Sequence, residues 1–253
     1  MKLLLCIDDT DNLESIGTGE LLENLCKELE GPGWARTGFI SRHQLYVHED
    51  IPYTSHNSSM CTSVELEDDR MEELVRFARE YLIKHAAEGS DPGLCILVPE
   101  KLTSLEKEGL MEFGQRAKIE VLDKNQAYDF AKAHEHALLL SEHGGTGDGI
   151  IGALAGCGLR MYGSDGRLKG KIKPQDPGEV QRAKEVCERY GFGQVLTEEF
   201  EPIPLDDLVM SATQIKPVLW KHEPVVLVEP FDGEEAQWRI IEKNDLNKKR
   251  IGR

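Results

Sequence analysis

The chain has 253 residues, with 30 Lys and Arg against 46 Asp and Glu, for a formal net charge of −16. No apolar run approaches the ~20 residues of a membrane span, and residues 3–7 are too short for a signal-peptide core. Six scattered cysteines with no C-x-x-C pair argue against a zinc ribbon or a disulfide framework. The expected protein is cytoplasmic, with reduced and mostly buried thiols, and its acidic field disfavours non-specific binding to nucleic acid.

Residues 2–7 predict a buried strand, which empties directly into Asp8, Asp9 and Asp11. Carboxylates at the end of such a strand sit where open α/β sheets hold ligands. Three like charges within four residues repel unless a proton or a cation relieves them. Mg²⁺ suits the role, because it takes hard oxygen ligands and shares them with phosphates. The competing reading is a solvated turn in which Asp11 or Asn12 caps a helix. In Ser15-Ile16-Gly17-Thr18-Gly19, a hydroxyl between glycines can contact phosphate or accept a phosphoryl group, or Thr18 can act as a plain N-cap. Leu21, Leu22, Leu25 and Leu29 share one face and predict a helix over 19–29.

Residues 35–47 read as extended, and the segment from Ile51 to Ser59 is too polar for core. Arg42, His43 and His48 flank it as candidate substrate contacts. A strand is expected over 61–66, an amphipathic helix over 71–85 and a buried strand over 94–98 after the turn Asp91-Pro92-Gly93. Helical patterns at 105–113 and 125–134 bracket an extended 119–122. His134 and His136 do not share a helical face and so make a poor metal pair.

After a strand at 137–140 comes His143-Gly144-Gly145-Thr146-Gly147-Asp148-Gly149, running into a helix over 150–158. Glycines let backbone N–H groups approach an anion, and the helix offers its positive end to phosphate. Gly147-x-Gly149-x-x-Gly152 also meets the dinucleotide spacing, but no Gly-Lys-Ser/Thr follows to make a Walker loop. On the other reading, Gly152, Gly156 and Gly158 let the helix pack close to a sheet. His143 is a candidate phosphate contact. Arg167, Lys169, Lys171 and Lys173 alternate with other residues, which in a strand would put four cations on one face for a polyphosphate or nucleic-acid backbone. An edge strand guarded by lysines has the same pattern. Pro174 and Pro177 suggest a boundary, giving regions 1–175 and 176–253, with a helix over 179–190, strands over 218–220 and 225–228, and a second basic stretch over 243–253.

The ordered motifs resemble those of the archaeal isoleucine-tRNA agmatinylcytidine synthetase family across roughly residues 1–160. Ile7-Asp8-Asp9-Thr10-Asp11 is similar to its G-I-D-D-T-D, and Ile51-Pro52-Tyr53-Thr54 with Asn57 to its I-P-Y-K-T-R-G-N-G. The stretch from Gly145 to Leu154 is similar to its G-N-G-R-G-L-I-G-A-L. The resemblance implies a mixed α/β (α+β) fold, a sheet with flanking helices, combining a kinase-like domain with a ferredoxin-like portion. It implies Mg²⁺ and nucleotide at Asp8, Asp9 and Asp11, and matches Thr18 to the family's autophosphorylated threonine. That family splits ATP to AMP and phosphates, activating a tRNA cytidine for attack by agmatine.

This chain departs from the pattern at Thr54, Ser55 and His56, and again at Thr146 and Asp148, where the family has Asn and Arg. An aspartate among phosphate-facing amides repels phosphate unless a metal intervenes. The length leaves no room for the family's OB-fold and zinc ribbon, which hold tRNA, and this weighs against a tRNA partner.

The reading is therefore an ATP- and Mg²⁺-dependent phosphotransferase or ligase, its acceptor a small molecule or RNA, with a homodimer left open. Asp8, Asp9, Asp11 and Thr18 are the catalytic candidates. Thr10, Gly17, Gly19, Gly145, Thr146, Gly147, Gly149, Lys169 and Lys171 are the nucleotide-binding ones. The alternative is a nucleotide sensor without turnover. A haloacid-dehalogenase-like hydrolase lacks the Thr or Val needed at Leu13, and a dinucleotide oxidoreductase rests on the glycine spacing alone.

Overall fold

A computed structural model describes residues 1–52, 54, 56–67, 70–249 and 252. The chain divides into two compact units, Met1–Tyr162 and Gly163–Arg253. The division precedes the prolines near which the sequence suggests a break. No helix among the described residues is long and apolar enough to cross a membrane.

The first unit runs β1 (Lys2–Asp8), α1 (Thr18–Glu30), β2 (Ala35–Thr37), β3 (Ser41–Gln44), β4 (Ser58–Leu66), α2 (Met71–His85) and β5 (Gly93–Leu97). It continues through α3 (Ser104–Arg116), α4 (Lys124–Ala133), β6 (Leu138–Glu142) and α5 (Gly149–Tyr162). The sheet order is β6-β5-β1-β4-β3, with β2 beside β3 on the outer edge of β4. Every pairing in this unit is antiparallel among the described residues. The ligand rule of parallel α/β sheets therefore does not explain the site; the turn that leaves β1 does.

Strand β1 is apolar on both faces because both are covered. Leu3, Leu5 and Ile7 pack with Leu21, Leu22, Leu25 and Leu29 of α1 and with Leu74, Ala78 and Leu82 of α2. Leu4 and Cys6 face the other layer, which includes Leu110 and Phe113 of α3 and Ile150, Ala153, Leu154 and Cys157 of α5. The period of two assigns alternate residues to the two layers, and each fully buried leucine contributes roughly 1.5–3 kcal/mol.

Helix α5 is buried from Gly149 through Arg160 except at Ile151. Its glycines set the approach distance. A Cβ at Gly152 would lie 1.6 Å from Asp8 Oδ2, one at Gly156 2.3 Å from Cys6 Sγ, and one at Gly158 2.2 Å from the Leu110 carbonyl oxygen. These three glycines serve close helix packing.

Two sequence expectations change in this unit. Residues 119–122 form turn and irregular chain instead of a strand, because the backbone closes on the end of α3 through Ile119 N–H to Arg116 O and Glu120 N–H to Arg116 O. Gly17, not Thr18, is the N-cap residue of α1.

The second unit contains β7 (Arg167–Leu168), β8 (Val180–Arg182), α6 (Ala183–Tyr190), β9 (Gln194–Thr197), β10 (Leu208–Met210), β11 (Val218–Trp220), β12 (Glu223–Pro230), β13 (Trp238–Ile240) and α7 (Lys243–Lys249). Its strands run β7-β11-β12-β13-β10-β8, with β9 parallel to β12. Val226 and Val228 enter one apolar cluster with Val186 of α6, while Val225 and Leu227 enter another with Leu246 of α7. The predicted helix over 179–190 starts only at Ala183, because Val180–Arg182 pair with β10.

The expected cationic strand face is not formed. Strand β7 ends at Leu168, and Gly170 turns the chain at φ 86°. Arg167 is buried, donating to Asn247 Oδ1 at 2.5 Å and to the Leu246 carbonyl at 2.8 Å. In the second basic stretch, Lys249 pairs with Glu198 and Glu229, and Lys248 with Asp245. Its residues 250, 251 and 253 lie outside the described residues, as do Tyr53 and Ser55 of the Ile51–Ser59 segment.

Candidate active site

Asp8 ends β1, and Asp9 follows in the left-handed region at φ 49°. That conformation is tolerated by Asp but uncommon for residues with a Cβ, and it swings the chain out of the sheet. The result is that Asp8, Asp9 and Asp11 all line one cavity of about 570 Å³, a size within the range of ~300–1,000 Å³ that holds small-molecule ligands. Gly17, Thr18 and Gly19 at the start of α1 line it too, as do Asp148, Gly149 and Gly152 at the start of α5.

Thr18 is buried, and its hydroxyl donates to Asp11 Oδ1 at 2.8 Å. The same hydroxyl oxygen accepts from Thr10 N–H at 3.4 Å. Across the cavity, Thr54 Oγ1 donates to the Asp11 carbonyl at 3.0 Å. The acidic turn is thus tied to the helix and to the polar segment that follows β3.

The electrostatics are unfavourable to three free carboxylates. Burial raises the Asp8 carboxyl from 3.8 to about 8, helped by the neighbouring charges of Asp9 and Asp11. Burial also raises Asp9 to about 6, with further contributions from Asp91, Asp11 and Asp148. Desolvation and like charge both disfavour the ionised form.

The glycine loop is built differently from the phosphate cradle predicted. The Thr146 N–H donates to Asp91 Oδ1, and the Gly147 N–H reaches the same oxygen at 3.4 Å. Thr146 Oγ1 donates to Asp91 Oδ2 at 3.1 Å and lies 3.0 Å from Asp148 Oδ2. A carboxylate of the protein itself occupies the loop amides. Gly145 and Gly147 adopt φ 56° and 81°, and a Cβ on either would collide with Asp91 or Glu142. Among the described residues, Gly145, Thr146 and Gly147 do not line the cavity, nor do Thr10, Lys169 and Lys171. Thr10 is buried, its hydroxyl without a partner among the described residues, and His143 bonds Ser141 Oγ at 2.9 Å.

Six further lining residues carry no sequence signal. Glu120, Val121, Leu122, Asp123, Lys124 and Asn125 reach the cavity from the turn after α3 and the start of α4. Arg42 lines it from β3 and donates to Ser58 Oγ at 2.9 Å. His43 is instead fully buried against Ser41 Oγ at 2.7 Å, and His48 pairs with Asp50 at 3.4 Å. Asp91 is the plainest omission, since the sequence presents it only as part of a turn.

No protein-family model and no curated protein matches the sequence. Solved structures do. The crystal structure of TiaS bound to tRNA and ATP is 27% identical over 62% of this chain and 36% of that one, with a TM-score of 0.53. The fold is TiaS-like. TiaS with tRNA, AMPCPP and agmatine matches at 24% identity over 77% of this chain and 46% of that one, TM-score 0.53. Apo TiaS, a tRNA agmatidine synthetase, matches at 24% over 75% and 43%, TM-score 0.52. This chain spans less than half the length of those TiaS chains.

Proposed function

We propose that the chain is an ATP- and Mg²⁺-dependent phosphotransferase or ligase with TiaS-like chemistry, acting on a small-molecule or RNA acceptor. The observation that carries this reading is the convergence of Asp8, Asp9 and Asp11 on one cavity that also receives the Thr18 hydroxyl. The 27% identity to TiaS in its complex with ATP supports it.

The all-oxygen donor set of Asp8, Asp9 and Asp11 fits a hard divalent cation, and burial leaves Asp8 protonated near neutral pH for want of a counter-charge. When bound, Mg²⁺ supplies neutralisation of phosphate-oxygen charge. The protein's part is positioning and electrostatics, which dominate phosphoryl transfer. Asp11 accepts the Thr18 hydroxyl hydrogen bond, so it is placed to take that proton as Thr18 Oγ forms a bond to phosphorus and the bond to the leaving phosphate oxygen breaks. Lys124 and Arg42 are the cationic side chains of the lining, and they would hold the remaining phosphate charge.

One observation favours the sensor alternative. The loop amides that would stabilise a transferring phosphate are already engaged by Asp91. Incubation with ATP and Mg²⁺ decides between the readings. Production of AMP together with phosphate on Thr18, both abolished by Asp9→Asn, supports the enzyme. Saturable ATP binding with intact nucleotide and unmodified Thr18, with tRNA and amines supplied, supports the sensor.

A further inference from the structure

Four of the six cysteines converge in the core of the first unit, although they are scattered in sequence. The registers Cys6↔Cys61 and Cys6↔Cys95 set three of them side by side across β4, β1 and β5. Directly opposed side chains of antiparallel strands share a face with Cβ atoms ~4.5–5.5 Å apart. Helix α5 adds Cys157 from above. All four are free and fully buried, and the sulfurs of Cys6, Cys61 and Cys157 lie within 4.8 Å of one another.

The surroundings are not those of an ordinary apolar core. Ser59 is fully buried and its hydroxyl has no partner among the described residues. A Cβ at Gly156 would collide with Cys6 Sγ and Ser59 Oγ, so the missing side chain is what lets both atoms lie side by side against the helix backbone. One turn further along α5, Arg160 is 8% exposed, its guanidinium 3.9 Å above the Phe39 ring and its Nη1 without a partner among the described residues. The positive charge of Arg160 acts on Cys61. Orphaned polar groups around buried thiols need an explanation.

We propose that Cys6, Cys61 and Cys157 form a closed structural site for a soft divalent cation of the zinc type, with the Cys95 thiol or the Ser59 hydroxyl in the fourth position. Two sulfurs on one tetrahedral zinc lie about 3.8 Å apart, given Zn–S of ~2.3 Å, a spacing that small side-chain rotations reach from the observed one. Three metal–sulfur bonds form and three thiol protons pass to solvent. With the neutral Ser59 hydroxyl in the fourth position, the cation and three thiolates carry one net negative charge, which the Arg160 guanidinium balances. A monovalent soft cation would leave two. Such a site would clamp β4 and β1 to α5 two residues from Asp8 and one turn from Gly152, fixing the carboxylate turn from behind.

The test is metal content and cobalt spectroscopy on the full chain. Protein expressed with zinc is assayed by elemental analysis, and denatured protein is refolded with Co²⁺ under a non-chelating reductant. The expected result is about one metal per chain and a thiolate-to-cobalt charge-transfer band with the intense visible bands of tetrahedral cobalt. Cys61→Ser should lose both, and Cys26→Ser, buried in the opposite layer, should keep both. Loss of a group that merely orients a ligand costs ~10–100-fold in affinity, so loss of a ligand is expected to cost at least about 100-fold. If Cys61→Ser does not fold, the wild-type metal count and spectrum decide alone. Correctly refolded wild-type protein with no stoichiometric metal and no charge-transfer band overturns the proposal. So does a disulfide within the cluster in freshly prepared protein.

Discussion

Asp8→Asn should make the unliganded protein more stable at neutral pH, by an amount that grows with pH. Burial and the Asp9 charge raise Asp8 from 3.8 to about 8. Between those values the folded protein holds a proton that the unfolded chain has released. Stability from this group is therefore complete below its unfolded pKa and is lost as pH rises, at about 1.4 kcal/mol per pH unit, until the folded pKa is passed. From about pH 5.5 to about pH 7.5 the loss is roughly 3 kcal/mol. Asn has no charge to bury and lacks this component. Asp9, raised to about 6, and His143, lowered mainly by burial, titrate in both proteins, so the difference between the two slopes isolates Asp8 to first order. The assay is urea denaturation at three pH values in a chelating buffer, repeated with Mg²⁺. Mg²⁺ should restore wild-type stability at the high end, since a ligand that binds only the folded state stabilises it, and should do little for Asp8→Asn. Parallel pH slopes for the two proteins without metal would refute the electrostatic reasoning.

Asp91→Asn should lower the Asp9 pKa from about 6, because the Asp91 charge is the largest contribution after burial; a carboxyl carbon NMR titration reads the shift, and an unchanged value would contradict it. Gly152→Ala should destabilise the first unit by at least about 1–3 kcal/mol and weaken nucleotide binding, since its Cβ would lie 1.6 Å from Asp8 Oδ2; thermal melts and an ATP titration check both. Thr18→Val removes the donor to Asp11 and should cost about 1–2 kcal/mol along with all phosphate on this residue, while Thr18→Ser should keep the hydrogen bond and the modification. Mass spectrometry and denaturation separate the two variants.

Local sequence carries the elements whose pattern is dictated by burial. The helix over 71–85 is legible with its observed limits, because an amphipathic stripe reports one buried face whatever that face packs on. The first strand is legible from its apolar run, and the grouping of Asp8, Asp9 and Asp11 at its end follows from chain adjacency. The small second unit is harder to read, because strands of three or four residues such as β10 and β13 have too few positions to set a period.

Four outcomes required the folded chain. Asp91 fills the glycine-loop amides from 55 residues away, a pairing that no spacing encodes. The turn after α3, its backbone closed on the Arg116 carbonyl, reaches a cavity whose other walls are distant in sequence. The cationic alternation at 167–173 is broken by a glycine at positive φ, so sequence periodicity did not become a strand face. The cysteines meet because antiparallel register sets residues 6, 61 and 95 in one row. Sequence determines side-chain chemistry and short-range periodicity; register and helix docking decide which distant groups share one low-dielectric space, and with it their charge states.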